Sequence, residues 1–457
     1  MERRMHQKYD WHRTKITGAM LMLLLFASGC SGGNNGNEPA APLPIDQGTA
    51  TETSAPTPTA TVIPSTAPVE TPTPTPTPTP SESAEVDEVS AIMAKMTLEE
   101  KVGQMLMIGV DGTTLDRTAE KLIKNSHAGG VIVYADNLQR LDESVKLINA
   151  IKAANKDNAA PLLLGVDQEG QKVSRLPKDF EGIPDSATVG KSGDAEIAKS
   201  LGGLLAEELR VMGLNLDFAP VLDINSNPHN PIIGVRSFGN NAELVAKMGV
   251  AEMNGLQESG VIAAVKHFPG HGDTSVDSHL SLPVVRKTLE QLQQQEWIPF
   301  QSAINNGAEI VMVAHILFPL IDNKAPASFS KVIISDQLRG ELGFNGVVIT
   351  DEMTMGAIVN HFGTVNAALK SVDAGSDILM VAHDYVKMQS VYDELLKSVK
   401  SGKVKESRID ESVRRILTLK LKYGLSDAPT PIPTAADIPN AQIREWKSAL
   451  QKAIAKK

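Results

Sequence analysis

The chain has a single cysteine, Cys30, among its 457 residues. Without a second cysteine no intramolecular disulfide can form, so the fold must be held together by its hydrophobic core. No Lys or Arg occurs between Cys30 and Lys95. No apolar run reaches the roughly 20 residues that a membrane-spanning helix needs. These absences argue against a disulfide-stabilised module and against a chain held in a membrane by a helix.

The first 30 residues have the pattern of an export signal. Five basic residues precede a short apolar run, Ile16–Phe26, which is too short to remain as a membrane span. The sequence Ala27-Ser28-Gly29-Cys30 follows, and it resembles the lipobox of bacterial lipoproteins, in which the cysteine is lipidated and becomes the mature N-terminus. We predict a lipoprotein signal peptide over residues 1–29 and lipidation of Cys30. An ordinary signal peptide with a chance cysteine is the alternative.

Residues 30–88 do not have the composition of a folded segment. They are rich in Pro, Thr, Ser, Ala and Glu, with strict Thr-Pro alternation over Thr71–Pro80. Such a segment cannot bury a core, so we predict a disordered tether. At about 3.1 Å per residue it reaches on the order of 150 Å when extended. We therefore expect an exported protein, lipid-anchored on the outer face of the bacterial cytoplasmic membrane and extending into the cell wall.

The net charge of the chain is negative. It is −10 for the whole sequence and −13 without residues 1–29, which hold five basic and two acidic residues. The tether accounts for eight acidic residues, which leaves the rest of the chain near −5. This balance argues against nucleic acid as a partner.

From about residue 89 the sequence alternates between short apolar runs and amphipathic helical patterns. The runs are near-continuous Val, Ile, Leu and Met, as expected for parallel strands buried on both faces. They predict eight strands, at Met105–Val110, Gly130–Tyr134, Leu162–Asp167, Leu216–Leu222, Ala263–His267, Ile310–His315, Val347–Asp351 and Ile378–Val381. Apolar spacings of three and four predict helices at Leu138–Ala154, Ala195–Val211, Leu244–Gln257, Ala367–Ala374 and Lys405–Tyr423. This pattern predicts a (β/α)₈ barrel of the TIM type over residues 89–425, with a doubly wound sheet as the alternative and 426–457 as a C-terminal tail of open role.

Polar residues follow six of the eight predicted strands at their C-terminal ends. They are Asp167, Asp223, Lys266 with His267, His315, Asp351 and His383. A single aspartate in such a place is readily explained as a helix cap, but the whole set is not. Because an unpaired buried charge is costly, these groups are expected to face one wet pocket at the C-terminal end of the barrel.

The segment from Lys266 to Pro283 is the most distinctive part of the chain. Its sequence, KHFPGHGDTSVDSHLSLP, combines three histidines and two aspartates with glycines and prolines that interrupt both helical and strand periodicity. It is therefore a loop that leaves the end of a strand. Its composition favours acid–base catalysis, while a metal site using His267, His271 and His279, or a solvated loop without a role, are the alternatives. The histidine spacings do not match known zinc motifs, so we expect no metal and no other cofactor.

Together, DQEG at 167–170, the later Arg175, the KH, PGHG and DSH groups of this loop, and ITDEM at 349–353 resemble glycoside hydrolase family 3. The resemblance covers essentially all of residues 90–425, and it is closest to the β-N-acetylhexosaminidases of that family. It implies that Asp351 is the nucleophile of a retaining mechanism, that His279 is the general acid/base, and that Asp277 is the dyad partner of His279. Glu169 is the next candidate for the acid/base role.

The resemblance also implies that a sugar is bound by Asp167, Arg175, Arg236, Lys266 and His267. His271 and Asp273 are expected to brace the loop, while Gln171 and Lys172 replace a Gly-Arg pair that is common in relatives. The implied activity is an exo-β-N-acetylglucosaminidase that acts on muropeptides, cell-wall fragments or chitooligosaccharides. A β-glucosidase, an N-acetylglucosaminide phosphorylase and a tethered glycan-binding module without activity remain alternatives.

Overall fold

The computed structural model describes residues 88–457. The predicted signal peptide, the lipidation of Cys30 and residues 30–87 of the predicted tether lie outside the described residues.

Eight parallel strands form the centre of the described part of the chain, and each is completely buried. Their order along the sheet is β7-β6-β5-β4-β3-β2-β1-β8. The strands are β1 Leu106–Gly109, β2 Gly130–Ile132, β3 Leu163–Val166, β4 Leu216–Asp217, β5 Ile262–Phe268, β6 Ile310–Val313, β7 Val347–Thr350 and β8 Leu379–Val381. Val, Ile, Leu and Met fill most of these positions, as burial on both faces requires.

The sheet closes on itself. Strand β1 pairs with both β2 and β8, since Met107 is opposite Gly130 on one side and Met380 on the other. The ends of the sheet meet where the amide of Thr350 donates to the carbonyl of Ile378 at 3.0 Å. The prediction of a (β/α)₈ barrel is therefore confirmed, and the alternative of a doubly wound open sheet is wrong.

Each predicted strand overlaps an observed one, but most observed strands are one or two residues shorter, and the fourth is shortened the most. The fourth was predicted over Leu216–Leu222, but regular pairing stops at Asp217. Pro220 has no amide hydrogen and cannot continue the ladder. The chain still runs beside β5 as far as Leu222, whose amide donates to the carbonyl of Lys266 at 2.6 Å. Asp223 follows this irregular stretch and therefore lies at the C-terminal end of the barrel.

Helices cover the outside of the barrel. They are α1 Leu98–Gln104, α2 Arg117–Asn125, α3 Leu141–Asn155, α4 Ser186–Gly190, α5 Ala195–Met212, α6 Ala242–Glu258, α7 Leu289–Gln294, α8 Trp297–Asn305, a π-helix Val332–Glu341, α9 Gly356–Val359, α10 Thr364–Ala374, α11 Tyr385–Lys400, α12 Glu406–Lys422 and α13 Asn440–Ala455. Asp194 and Asn241 cap α5 and α6 by accepting from backbone amides of the first turn. Gly213, with a φ of 82°, ends α5 in the left-handed conformation that glycine adopts readily.

The segment after residue 425, whose role the sequence left open, contributes to the core. Helix α13 buries Ile443, Trp446 and Leu450. The indole Nε1 of Trp446 donates to the carbonyl of Ile197 on α5 at 3.0 Å. The last helix is thus attached to the outside of the barrel. Within residues 88–457, no helix combines the length and the apolar character that crossing a membrane requires.

Candidate active site

A cavity of about 330 Å³ opens at the C-terminal ends of the strands. Its lining comes from the loops that follow β2, β3, β4, β5, β7 and β8, together with inward-facing side chains of the strands. All eight residues that the sequence assigned to catalysis or sugar binding line this one cavity: Asp167, Arg175, Arg236, Lys266, His267, Asp277, His279 and Asp351. Residues that are as much as 184 positions apart in the chain, Asp167 and Asp351, are brought together here because the barrel places all its strand ends at one face.

A network of ion pairs forms one side of the cavity floor. Lys266 is buried at the end of β5, with its Nζ 2.5 Å from Asp167 Oδ1 and 2.7 Å from Glu169 Oε1. Arg236 donates two hydrogen bonds of 2.7 Å to the two oxygens of Glu169. Hereafter the floor denotes these four residues with His267 and Asp351. The paired charges satisfy one another, which allows them to stay buried.

The network fixes the protonation states of its members. Burial would raise the pKa of Glu169, but Arg236 and Lys266 outweigh burial and hold the pKa well below its usual value. Burial would likewise lower the pKa of Lys266, but Asp167 and Glu169 outweigh it and raise the pKa. Because Glu169 stays ionised, it cannot supply a proton, and its environment does not suit the acid/base role for which it was the next candidate.

His267 is held by an aspartate from the segment that follows β4. Its Nδ1 lies 2.7 Å from Asp223 Oδ2, while the other oxygen of Asp223 accepts from the amide of His271 at 2.6 Å. Burial would raise the pKa of Asp223, but the two histidines and these hydrogen bonds outweigh it and lower the pKa. The Nε2 of His267 is left on the cavity side, 3.5 Å from Arg236 Nη2. Asp223 was expected to face the pocket as a strand-end residue, but it is fully buried against His267 and does not line the cavity.

Asp351 follows β7 at the floor, where one carboxylate oxygen accepts from the amide of Glu352 at 2.8 Å. Burial would raise the pKa of Asp351, but His315, His267 and this amide outweigh burial and lower the pKa. His315 is fully buried between Ser328 Oγ at 2.7 Å and the carbonyl of Glu352 at 3.0 Å. It therefore supports the backbone next to Asp351 rather than lining the cavity. Asp351 is an ionised carboxylate that faces the cavity.

The loop after β5, residues 269–288, contributes His271, Asp277, Ser278 and His279 to the cavity lining. Gly272 packs against the loop after β4 so closely that a Cβ there would lie 1.7 Å from the carbonyl oxygen of Ile224. His271 is buried and braces the loop, since its ring nitrogens lie 2.8 Å from Thr274 Oγ1 and 3.3 Å from Ser278 Oγ. Burial and the neighbouring His267 lower the pKa of His271 to about 4, so its ring is neutral near pH 7. These contacts hold the first half of the loop firmly.

The second half of the loop carries His279 into solvent at the mouth of the cavity. The His279 ring is 63% exposed, and its Nδ1 lies 2.8 Å from Asp277 Oδ1. The same oxygen accepts from the His279 backbone amide at 2.8 Å. Burial would raise the pKa of Asp277, but the amide and ring of His279 outweigh it and lower the pKa. The carboxylate therefore orients the ring and leaves Nε2 free to exchange a proton.

Two further cations and an aromatic pair also line the cavity. Lys172 and Arg175 come from the loop after β3. The rim hereafter denotes these two residues together with Asp277 and His279. Tyr134 and His383, from the loops after β2 and β8, stack with ring centroids 4.5 Å apart. His383 stood out in the sequence as a polar residue after a strand, whereas Tyr134 did not, because a tyrosine at the end of an apolar run is also typical of a core residue.

The three histidines of β5 and its loop have separate partners. His267 is bound to Asp223, His271 to Thr274 and Ser278, and His279 to Asp277. Across residues 88–457, no three His, Cys, Asp or Glu side chains are grouped so that they could hold a metal ion.

Comparisons with known proteins agree with this geometry. The family model described as the glycosyl hydrolase family 3 N terminal domain matches residues 97–419. Among curated proteins, the chain is 35% identical over 345 residues to beta-hexosaminidase A of Pseudoalteromonas piscicida, covering 70% of this chain and 58% of that protein. It is 33% identical over 303 residues to a beta-hexosaminidase of Nitrosomonas eutropha, covering 64% of this chain and 84% of the relative.

Among solved structures, the chain is similar to a glycoside hydrolase family 3 beta-N-acetylglucosaminidase from a Paenibacillus species. The two share 42% sequence identity with a TM-score of 0.72, over 77% of this chain and 69% of the other.

Proposed function

The chain belongs to glycosyl hydrolase family 3, and from that premise we propose that it is a retaining β-N-acetylhexosaminidase that removes terminal N-acetylglucosamine from glycans. The names of its relatives support this activity, since two of them are beta-hexosaminidases and a third is a beta-N-acetylglucosaminidase. Peptidoglycan fragments are the proposed natural source of the sugar.

One observation carries the proposal. The ionised carboxylate of Asp351 and the His279–Asp277 pair face the same cavity from two different loops. A retaining glycosidase needs a nucleophile on one side of the anomeric carbon and a proton donor beside the leaving oxygen. Most such enzymes use a second carboxylic acid as the donor, whereas here the histidine takes that place.

The proposed first step forms a covalent ester. A carboxylate oxygen of Asp351 attacks the anomeric carbon while the bond to the leaving oxygen breaks, and that oxygen takes a proton from the imidazolium of His279. In the second step the neutral imidazole accepts a proton from water as the water oxygen attacks the same carbon. The ester breaks, Asp351 regains its charge and His279 regains its proton. Asp277 stabilises the imidazolium that is present before the first step and after the second.

The floor binds the terminal sugar in this proposal. Asp167 and His267 Nε2 offer an acceptor and a polar nitrogen for hydroxyl groups, while Lys266 and Arg236 are held in fixed positions by Glu169. Groups that are already positioned lose little freedom when the sugar binds, and they stabilise charge that develops in the transition state.

Matched chromogenic substrates test the function. We expect hydrolysis of p-nitrophenyl N-acetyl-β-glucosaminide and much slower hydrolysis of the matching β-glucoside. Each assay is run with and without phosphate, and the product is analysed for sugar 1-phosphate. Preference for the glucoside would show a β-glucosidase, and a phosphorylated product would show a phosphorylase. Absence of any turnover by folded protein would favour a glycan-binding module.

We also propose that the protein is exported and lipid-anchored through Cys30. The support comes from the export-signal pattern of residues 1–30 and from the composition of residues 30–88, which predicts an extended tether. In a Gram-positive or Gram-negative host, Cys30→Ser is expected to release active enzyme into the soluble exported fraction. If the variant remained with membranes after a high-salt wash, another attachment would be required.

A further inference from the structure

Two cations of the rim have no acidic partner within residues 88–457. Lys172 and Arg175 form no salt bridge there, whereas Lys266 and Arg236 of the same cavity are both neutralised by carboxylates. The Nε of Arg175 is buried without a hydrogen-bond partner. Leaving such a donor unsatisfied costs free energy, which points to a ligand group that completes it.

Lys172 is also weakly held by the protein. Its Nζ lies 3.4 Å from the carbonyl oxygens of Pro231 and Ile232, at the outer limit of a hydrogen bond. The side chain is exposed and lines the cavity from the loop after β3. Lys172 can therefore exchange these two contacts for contacts with a ligand at little cost in free energy.

The position of Lys172 indicates which part of a substrate it meets. Lys266 is buried at the floor, where the proposed function places the terminal sugar. His279, which protonates the leaving oxygen in that proposal, is exposed at the mouth. Lys172 lines the same cavity and is exposed like His279, so it lies away from the buried floor, on the side where the proposed function places the leaving portion of the substrate.

We propose that Lys172 determines specificity by binding a carboxylate on the leaving-group side of the scissile bond, with Arg175 adding to the positive potential. This inference rests on the proposed glycosidase activity and names the chemistry of its leaving group. A neutral leaving group gives Lys172 no partner, whereas a carboxylate supplies a charge-assisted hydrogen bond. The carboxylate belongs either to the lactic acid ether of N-acetylmuramic acid or to a peptide attached to it.

Three substrates separate these possibilities. N-acetylglucosaminyl-N-acetylglucosamine has a neutral leaving sugar. N-acetylglucosaminyl-N-acetylmuramic acid differs from it only by the lactic acid ether. A third substrate carries a peptide amide-linked to that lactic acid, so that its carboxylates lie on the peptide. The quantity of interest is the ratio of kcat/KM for each acidic substrate to kcat/KM for the neutral one.

We expect this ratio to exceed one in the wild type and to fall about twofold to fivefold in Lys172→Met, mainly through KM. Lys172→Arg keeps the charge and should retain most of the ratio. Lys178→Met removes an exposed lysine of the same loop that does not line the cavity, and it should leave the ratio unchanged. The wild-type ratio should also shrink as the salt concentration rises to about 1 M.

Two results would overturn the inference. One is a wild-type ratio near one for both acidic substrates. The other is an equal loss on all three substrates in Lys172→Met, which would mean that Lys172 only holds the loop at Pro231 and Ile232. Calorimetric binding of the disaccharides to Asp351→Asn reads the same preference without turnover. If folded wild type hydrolysed none of the substrates, the proposed function would fail, while the binding preference would still decide the role of Lys172.

Discussion

The floor and the rim of the cavity are built in different ways. Glu169 at the floor is buried and bound by both Lys266 and Arg236, with three contacts of 2.7 Å. His279 at the rim is 63% exposed, and its ring has one protein partner, which is only two residues away. The floor gains its geometry from residues that are far apart in the chain. The rim positions His279, the proposed proton donor, through a local turn, which leaves the ring in contact with water.

Removal of the proposed nucleophile at the floor should cause the largest loss of activity. We expect Asp351→Asn to fold normally and to lower kcat by several orders of magnitude, because an amide cannot form the ester intermediate. Turnover of p-nitrophenyl N-acetyl-β-glucosaminide measures the effect, and circular dichroism checks the fold. A variant that kept more than about a tenth of the wild-type rate would disprove the assignment.

The removal of the proton donor should have a smaller effect that depends on the leaving group. His279→Ala is expected to lose about 10²- to 10⁴-fold with poor leaving groups, whereas 2,4-dinitrophenolate leaves without a proton and should be released at nearly the normal rate. The ester then accumulates, and azide should restore turnover by forming a glycosyl azide.

Asp277→Ala should show the same pattern more mildly, because Asp277 orients the ring without transferring the proton. Equal losses of His279→Ala on good and poor leaving groups, with no glycosyl azide, would mean that this histidine has only a structural role.

Disruption of the ion-pair network should be visible as a loss of stability. Glu169→Gln leaves Lys266 and Arg236 with too little negative charge, and we expect a loss of about 3–5 kcal/mol in the free energy of unfolding. Glu143→Gln, which removes an exposed carboxylate 3.4 Å from Arg140, is the control and should cost at most about 1 kcal/mol. Urea unfolding measures both, and similar losses would contradict the special role of the floor.

The pH dependence of stability sharpens this test. The ordinary pKa of a glutamate like Glu169 is 4.5, and Arg236 and Lys266 outweigh burial to hold its folded pKa well below that value. Its ion pairs therefore stabilise the fold fully above pH 4.5 and are lost progressively as the pH falls through more acidic values. Between pH 7 and pH 4, wild type should lose more stability than Glu169→Gln. Parallel curves would show that Glu169 does not contribute to the acid sensitivity.

The sequence located the residues that line this cavity better than the partners that support them. The strand ends were visible because buried parallel strands are continuous apolar runs, so that Lys266, His267 and Asp351 stood out as the polar residues that end them. The partners of these residues were not visible. Glu169 became a candidate acid in the sequence analysis because nothing nearby in the chain shows that Arg236 and Lys266 will surround it.

Local chemistry explains the other differences. The regular part of β4 was overestimated because the run around Pro220 is apolar, although proline lacks the amide that pairing needs. The contribution of α13 was left open because a basic amphipathic pattern indicates a helix without indicating its neighbour. Asp277 and His279 were easier to connect, since a separation of two residues allows a turn to join them directly.

The two tryptophans of the described region give the molecule a built-in optical readout. Trp297 on α8 lies behind the site, with its ring centroid 5.7 Å from that of Phe268, the last residue of β5. Trp446 lies on α13 at the outside of the barrel. The third, Trp11, falls within the segment predicted to be cleaved on export. The emission of a Trp446→Phe variant would therefore come from one fluorophore behind the strand that carries Lys266 and His267, and quenching titrations could follow ligand arrival without a labelled sugar.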